Sequence, residues 1–186
     1  MSTLLAIMTG CTGMGANPLN KAIEPHSLVI GGIEIETIGP NPRSYDTHVR
    51  FVDLYHLDRQ ERIRIRLTDH DPLFSMLLPA GRYQLSRLQI HEGPFMGEAN
   101  LHSTFSVPAE RVIFLGTWQF SVDTPRTQRM VKMDISEKHP SLRHILNSHA
   151  AFREQPIDVV LPDPPVDSFR LFSVAPYPKA RYFYRN

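Results

Sequence analysis

At 186 residues, with 41% hydrophobic and 21% charged side chains, the chain is sized for one domain that buries roughly 70% of its unfolded surface. Lys plus Arg total 20 against 19 Asp plus Glu, so no global field directs it to nucleic acid or anionic lipid. No apolar run reaches the roughly 20 residues of a membrane-spanning helix. The 16 prolines are spread along the chain, which disfavours long helices and favours short strands joined by turns. The expected class is mainly β. One cysteine, Cys11, excludes an intramolecular disulfide and a Cys-based zinc site.

The chain opens on a short apolar run, Leu4-Leu-Ala-Ile-Met8, followed by Thr9-Gly10-Cys11. An apolar residue, two small residues and a cysteine resemble the lipobox of bacterial lipoproteins. That resemblance implies lipidation at Cys11, with Thr12 to Asn17 as a tether and residues 1–22 as signal remnant and tether. The implied location is the cell envelope, lipid-anchored and periplasm-facing. No Lys or Arg precedes the run, which is shorter than the usual h-region of about 7 to 15 residues. The competing reading is a terminus with an incidental thiol. Gly10, Gly13 and Gly15 lack the spacing of a dinucleotide fingerprint.

A β-sandwich is expected over residues 23–135. Ser27 to Ile38 alternates, with Val29, Ile33 and Ile35 on one face, Glu34 and Glu36 on the other, and a bulge or bend at Gly31-Gly32. Thr47 to Leu57 follows, with Val49, Phe51, Tyr55 and Leu57 on an apolar face that Asp53 interrupts. Arg62 to Thr68 is the clearest strand. Ile63, Ile65 and Leu67 lie on one face and Arg62, Arg64 and Arg66 on the other, so a one-residue slip buries three arginines and the register is tightly specified. Asp69-His-Asp-Pro72 is a turn by composition.

Pro79-Ala-Gly81 turns into a strand whose apolar phase jumps from Tyr83 and Leu85 to Leu88 and Ile90, which requires a bulge near Ser86-Arg87. Gly93-Pro94 and Gly97 read as loop, His102 to Val107 as a short strand, and Pro108 to Arg111 as a turn. Val112, Phe114, Trp118 and Phe120 are expected to face together, with Ile113 and Leu115 opposite. A strand apolar on both faces needs a second cover. Thr127 to Ile135 is a further strand carrying Val131, Met133 and Ile135 on one face.

The period then changes. Leu142, Ile145, Leu146, His149 and Arg153 recur at three and four residues, predicting one C-terminal amphipathic helix within 136–154, with Pro140 in its first turn. From 155 to 186 no period survives, and an extended proline-rich arm, with at most one edge strand, is expected to pack on the sandwich. The helix and this arm are the candidates to cover the second face of Val112 to Phe120.

Leu78-Pro-Ala-Gly-Arg-Tyr-Gln-Leu85, Phe105-Ser-Val107 and Val112-Ile-Phe-Leu-Gly-Thr-Trp118 together resemble a pattern in bacterial envelope lipoproteins. Those carry a transthyretin-like (prealbumin or carboxypeptidase-regulatory-like) domain. Phe114 stands where the pattern often has Tyr, and Pro-Ala-Gly replaces Pro-Gly. The resemblance covers about a quarter of the chain. It implies a transthyretin-like antiparallel β-sandwich and transfers no catalytic residue, because such sandwiches host many functions.

Chemistry-bearing residues are sparse. His139, His144 and His149 are five apart and rotate by about 140° each, so one helix cannot converge them on an ion. His48 and His56 share a strand face but lie too far apart for common ligation. Asp69-His70-Asp71 is the densest cluster for a hydrolase or metalloprotein, and its turn composition explains it without a metal. No Gly-x-Ser-x-Gly, His-Glu-x-x-His or Walker loop is present. Arg62, Arg64 and Arg66, at about 7 Å spacing, are the best candidates for binding an anionic lipid headgroup or phosphorylated glycan. The alternative is a solvated face paired with Glu34 and Glu36. Tyr177, Tyr182, Phe183 and Tyr184 either dock a partner or cover the domain's own sheet edge. The expectation is a non-enzymatic, lipid-anchored envelope module with a structural or protein-interaction role, without cofactor, metal or nucleic acid. The alternatives are an anionic-ligand or glycan-binding module and, behind that, a hydrolase or metalloprotein.

Overall fold

In the computed structural model, which describes residues 25–39, 45–67, 72–124, 129–138, 142–164 and 168–174, the alternating segments hydrogen-bond into one bent sheet. Its strands are β1 (His26–Ile38), β2 (His48–His56), β3 (Glu61–Ile65), β4 (Leu73–Pro79), β5 (Gly81–Glu92) and β6 (Phe95–Asn100). They continue with β7 (Thr104–Val107), β8 (Val112–Asp123), β9 (Arg129–Ser136), β10 (Ile157–Val159) and β11 (Phe169–Val174). The spatial order is β3-β2-β5-β6-β11-β9-β8-β1-β4, with β7 beside β5 and β10 beside β8. The sheet is nearly closed. Its front half (β3, β2, β5, β6) packs its inner face on that of the back half (β9, β8, β1, β4), and Val52, Leu54, Leu88, Ile90, Ile33, Trp118 and Phe120 meet in one core.

Most pairs are antiparallel, as expected, but β1 and β10 both run parallel to β8. The sheet is therefore mixed. The chain leaves β1 for β2 and β3 of the front half, then crosses back as β4 beside β1. It completes the front half with β5 to β7 and returns as β8 on the other side of β1.

Bulges decide which side chains enter the core. Asp53 pairs with Arg87 and Leu54 with Leu85, so Ser86 is the extra residue that keeps Tyr83, Leu85, Leu88 and Ile90 all inside. The phase jump in β5 had required a bulge at that place. A second one falls in β8. Ile30 pairs with Phe114 but Gly32 with Thr117, and Gly116 sits at φ +77°, a conformation that glycine adopts without strain. The Leu115 carbonyl, left free of the ladder, accepts the Trp118 indole N–H at 3.0 Å. Val112 and Phe114 therefore face outward while Ile113, Leu115, Trp118 and Phe120 face the core. This corrects the expected grouping of Val112 and Phe114 with Trp118 and Phe120, which ignored the bulge.

The outward pair needs cover, and the helical segment supplies it. Leu142, Ile145 and Leu146 close a second cluster with Leu28, Ile30, Val112 and Phe114, with Phe152 and Ile157 at its margin. Burying an aromatic such as Phe114 stabilises by about 2 to 3 kcal/mol. The α-helix, α1, is short, Arg143–Ser148. His149 leaves helical geometry at φ −119° and ψ 80°, and a 3-10 turn follows at Ala150–Phe152. The expected longer helix with His149 and Arg153 on its apolar face is thus corrected: Arg153 is exposed, and Phe152 packs instead.

The region after 155 is more than an arm. β11 is inserted between β9 and β6, pairing Phe169 to Leu171 with the back half and Phe172 to Val174 with the front. It welds the two halves and is no edge strand. Gly97 makes this possible, because a Cβ there would lie 2.7 Å from Leu171 Cγ. β4 and β6 had no counterpart in the sequence reading. β6 carries Gly97 and polar residues, which read as loop.

Candidate functional site

The outer face of the front half carries the arginine stripe. In β2 the inner positions are Val52 and Leu54, while Phe51 and Asp53 point outward. The sequence reading had this phase reversed. A further register shift between Val49 and Phe51, with Arg50 as the extra residue, turns the strand over. Asp53 then occupies the middle of the front face, directly opposite Arg64 of β3 on one side and Arg87 of β5 on the other.

Its side chain is fully buried beneath them. Arg64 donates from Nε to Oδ1 at 2.8 Å and from Nη2 to Oδ2 at 3.1 Å. Arg87 donates to Oδ2 from Nε at 3.1 Å and from Nη2 at 2.8 Å, and reaches Glu98 at 3.3 Å. Arg62 stands off at 3.9 Å. The Arg64 guanidinium also lies 3.6 Å from the centroid of the Phe51 ring, a cation–π stack that fixes its plane. Burial works to raise the Asp53 carboxyl, but the hydrogen bonds and charges of Arg64 and Arg87 outweigh it and hold its pKa below the ordinary aspartate range. The bond to Asp53 raises Arg64 in turn.

Around this knot lies a groove of about 500 Å³ lined by Arg50, Phe51, Arg64, Arg66, Arg87, Gln89 and Glu98. Arg50 donates to Gln89 Oε1 at 3.0 Å and approaches Met96 Sδ at 3.2 Å, and Gln89 Nε2 donates to Glu98. Among the described residues neither Arg50 nor Arg66 has a carboxylate partner. Counting Arg62, five arginines face two carboxylates, Asp53 and Glu98. Each guanidinium presents a planar fork of N–H donors suited to carboxylate or phosphate oxygens. Among the described residues the groove, with Arg62 at its margin, therefore carries three positive charges in excess and donors to spare.

The structure thus places Arg62, Arg64 and Arg66 on one face, as read from the sequence, and gives them unequal roles. Arg64 is committed to Asp53, Arg62 only grazes it, and Arg66 is unengaged among the described residues. The expected acidic partners are wrong. Glu34 and Glu36 lie on the back half's outer face, where they accept from Gln119 at 3.1 Å and Ser121 at 2.9 Å. With Asp134 these residues line a second groove of about 400 Å³. Sequence reasoning missed Arg50, Phe51, Asp53, Arg87, Gln89 and Glu98. The one signal was Asp53 itself, an acid interrupting an apolar alternation. His48 and His56, expected on one face, are separated by the bulge at Arg50. His48 stacks on His91 with centroids 5.1 Å apart, and His56 is buried against Tyr83. Cys11, Asp69, His70, Asp71, His139, Tyr177, Tyr182, Phe183 and Tyr184 lie outside the described residues.

No family model, curated protein or solved structure matches the chain.

Proposed function

We propose that this protein is a non-enzymatic recognition module whose front-face groove holds a group rich in anionic oxygens, a carboxylate or phosphate. The observation that carries this is the imbalance of five arginines over two carboxylates, with Arg50 and Arg66 lacking a counter-charge among the described residues. The Asp53 knot supports it. By anchoring Arg64 and Arg87 in fixed planes it prepays much of the side-chain entropy that an anion site otherwise costs. Arg50 and Arg66, at the same end beside Phe51, then supply the uncommitted donors.

The test is titration calorimetry with inorganic pyrophosphate and with a short polyglutamate. The expected outcome is binding that weakens as salt rises and that falls at least about tenfold in R50Q/R66Q. Among the described residues neither holds a carboxylate, so that variant is expected to keep its fold. No binding by the wild type, or equal binding by the variant, removes the groove from consideration.

The compartment is a proposal of its own. The Met8-Thr9-Gly10-Cys11 pattern supports a lipid-anchored envelope protein, and the Pro79 to Tyr83 and Val112 to Trp118 motifs support placing it among transthyretin-like envelope modules. Labelling with a palmitate analogue should mark the wild type and not Cys11→Ser. A wild type that takes no label overturns the anchor.

A further inference from the structure

The two outer faces of the bent sheet carry opposite charge. On the back half Glu34 and Glu36 stand two residues apart on β1, joined across β8 by Asp134 of β9. On that face Lys132 is paired with Asp134 at 2.8 Å. Among the described residues of the front half the excess is positive. The spacing also matches: alternate residues on a strand lie about 7 Å apart, so the Glu34–Glu36 pair and the Arg62–Arg64–Arg66 stripe share one repeat. Each face also has an exposed apolar side chain beside its charges. Ile38, two residues beyond Glu36, is 43% exposed, and Phe172, opposite Glu98 on β11, is 49% exposed. A charged patch next to a large exposed apolar side chain has the makeup of an interface with an anchor and a polar rim.

Resting on the reading of the groove as an anion site, we infer that its anion is supplied by a second copy of this chain, whose Glu34–Glu36–Asp134 face docks on Arg50, Arg62 and Arg66. The contact joins two different surfaces, so it is heterologous. Each bound copy still offers one unused face, and the product is an open head-to-tail chain. Its strength is largely electrostatic, because charge complementarity sets orientation and association rate more than burial does.

Sedimentation velocity on the full chain tests this with two neutralised variants, E34Q/E36Q and R50Q/R66Q. Wild type is expected to form species larger than a dimer at about 0.05 M salt and to dissociate at about 0.5 M, where the screening length falls to a few ångströms. Each variant alone is expected to stay monomeric. Mixed, they retain one intact face each, and a discrete one-to-one heterodimer with nothing larger is expected. Wild type that remains monomeric at low salt, or E34Q/E36Q that associates as wild type does, overturns the second copy as occupant. Pyrophosphate binding separates the two claims. E34Q/E36Q that binds pyrophosphate as wild type does, while wild type stays monomeric, sinks the self-docking and leaves the groove standing. Failure of pyrophosphate binding in every form sinks both.

Discussion

Asp53 and Arg64 stand directly opposite each other on β2 and β3, joined by two hydrogen bonds of 2.8 and 3.1 Å with the carboxylate fully buried. Arg87 closes the knot from the other side. Removing one partner of such a cluster strands the others. Asp53→Asn leaves the Arg64 guanidinium, 35% exposed, without its hydrogen-bonded carboxylate and Arg87, 26% exposed, with Glu98 alone. The loss expected in urea unfolding is near the low end for a buried pair, about 3 kcal/mol, because both arginines keep some solvent.

The same knot makes a pH prediction. Asp53 has a folded pKa below its ordinary value of 3.8. Its contribution is therefore full above about pH 4 and is lost as pH falls through the lower folded value. Wild type should lose stability more steeply than Asp53→Asn as pH falls below about 4. Urea midpoints that fall in parallel for the two proteins would exclude Asp53 as the cause.

Arg64 and Arg66 sit two residues apart on the same face and should respond differently to lysine. Arg64→Lys loses the two-point bond to Asp53 and the stack on Phe51, and should cost about 1 to 2 kcal/mol. Arg66→Lys should fall within about 0.5 kcal/mol of wild type. Similar losses at the two positions would mean that the stripe is one cooperative structural unit.

Gly116→Ala tests the bulge that sets the phase of β8. The residue is held at φ +77°, and a Cβ there would meet Ile135 Cγ2 at 2.9 Å and the Ser136 carbonyl oxygen at 3.0 Å. A loss of about 1 to 3 kcal/mol is expected from backbone strain. Near-ultraviolet circular dichroism should also report movement of Trp118, whose indole bonds the bulge carbonyl. A neutral substitution would mean that the bulge relocates freely.

Phe114→Ala removes the centre of the cluster between α1 and the sheet, and should cost about 3 to 5 kcal/mol by thermal or urea unfolding. Hydrogen exchange should show α1 losing protection well before the main core, because a six-residue helix depends on the apolar face beneath it.

Several features were legible in the residues because they depend on local pattern. Ile63 and Ile65 against Arg62 and Arg64, the bulge implied by Leu85 and Leu88, and the need for a second cover over β8 all follow from period-two alternation. They were also the features that the fold repeats. Sequence reasoning went astray wherever a bulge was silent. Arg50 and Gly116 each add one residue where the period-two alternation of apolar side chains reads straight through, so Phe51 was placed inside, and Val112 and Phe114 on the core face. Gly97 read as loop because its reason, the close approach of Leu171, lies more than 70 positions away in the chain.

By itself the sequence determined a β-rich chain with an arginine stripe held in register, since a slip of one residue would bury three guanidiniums. Only the tertiary structure decided what that stripe faces. Asp53, the Arg87–Gln89 pair and Glu98 come from three strands, and no local spacing relates one strand's residues to another's. They meet Arg64 because β2 lies between β3 and β5 in space, with bulges that turn Asp53 outward and Leu54 inward. The same long-range pairing places Glu34 and Glu36 on the opposite outer face, where they cannot neutralise the arginines. That separation leaves Arg50 and Arg66 without a carboxylate among the described residues.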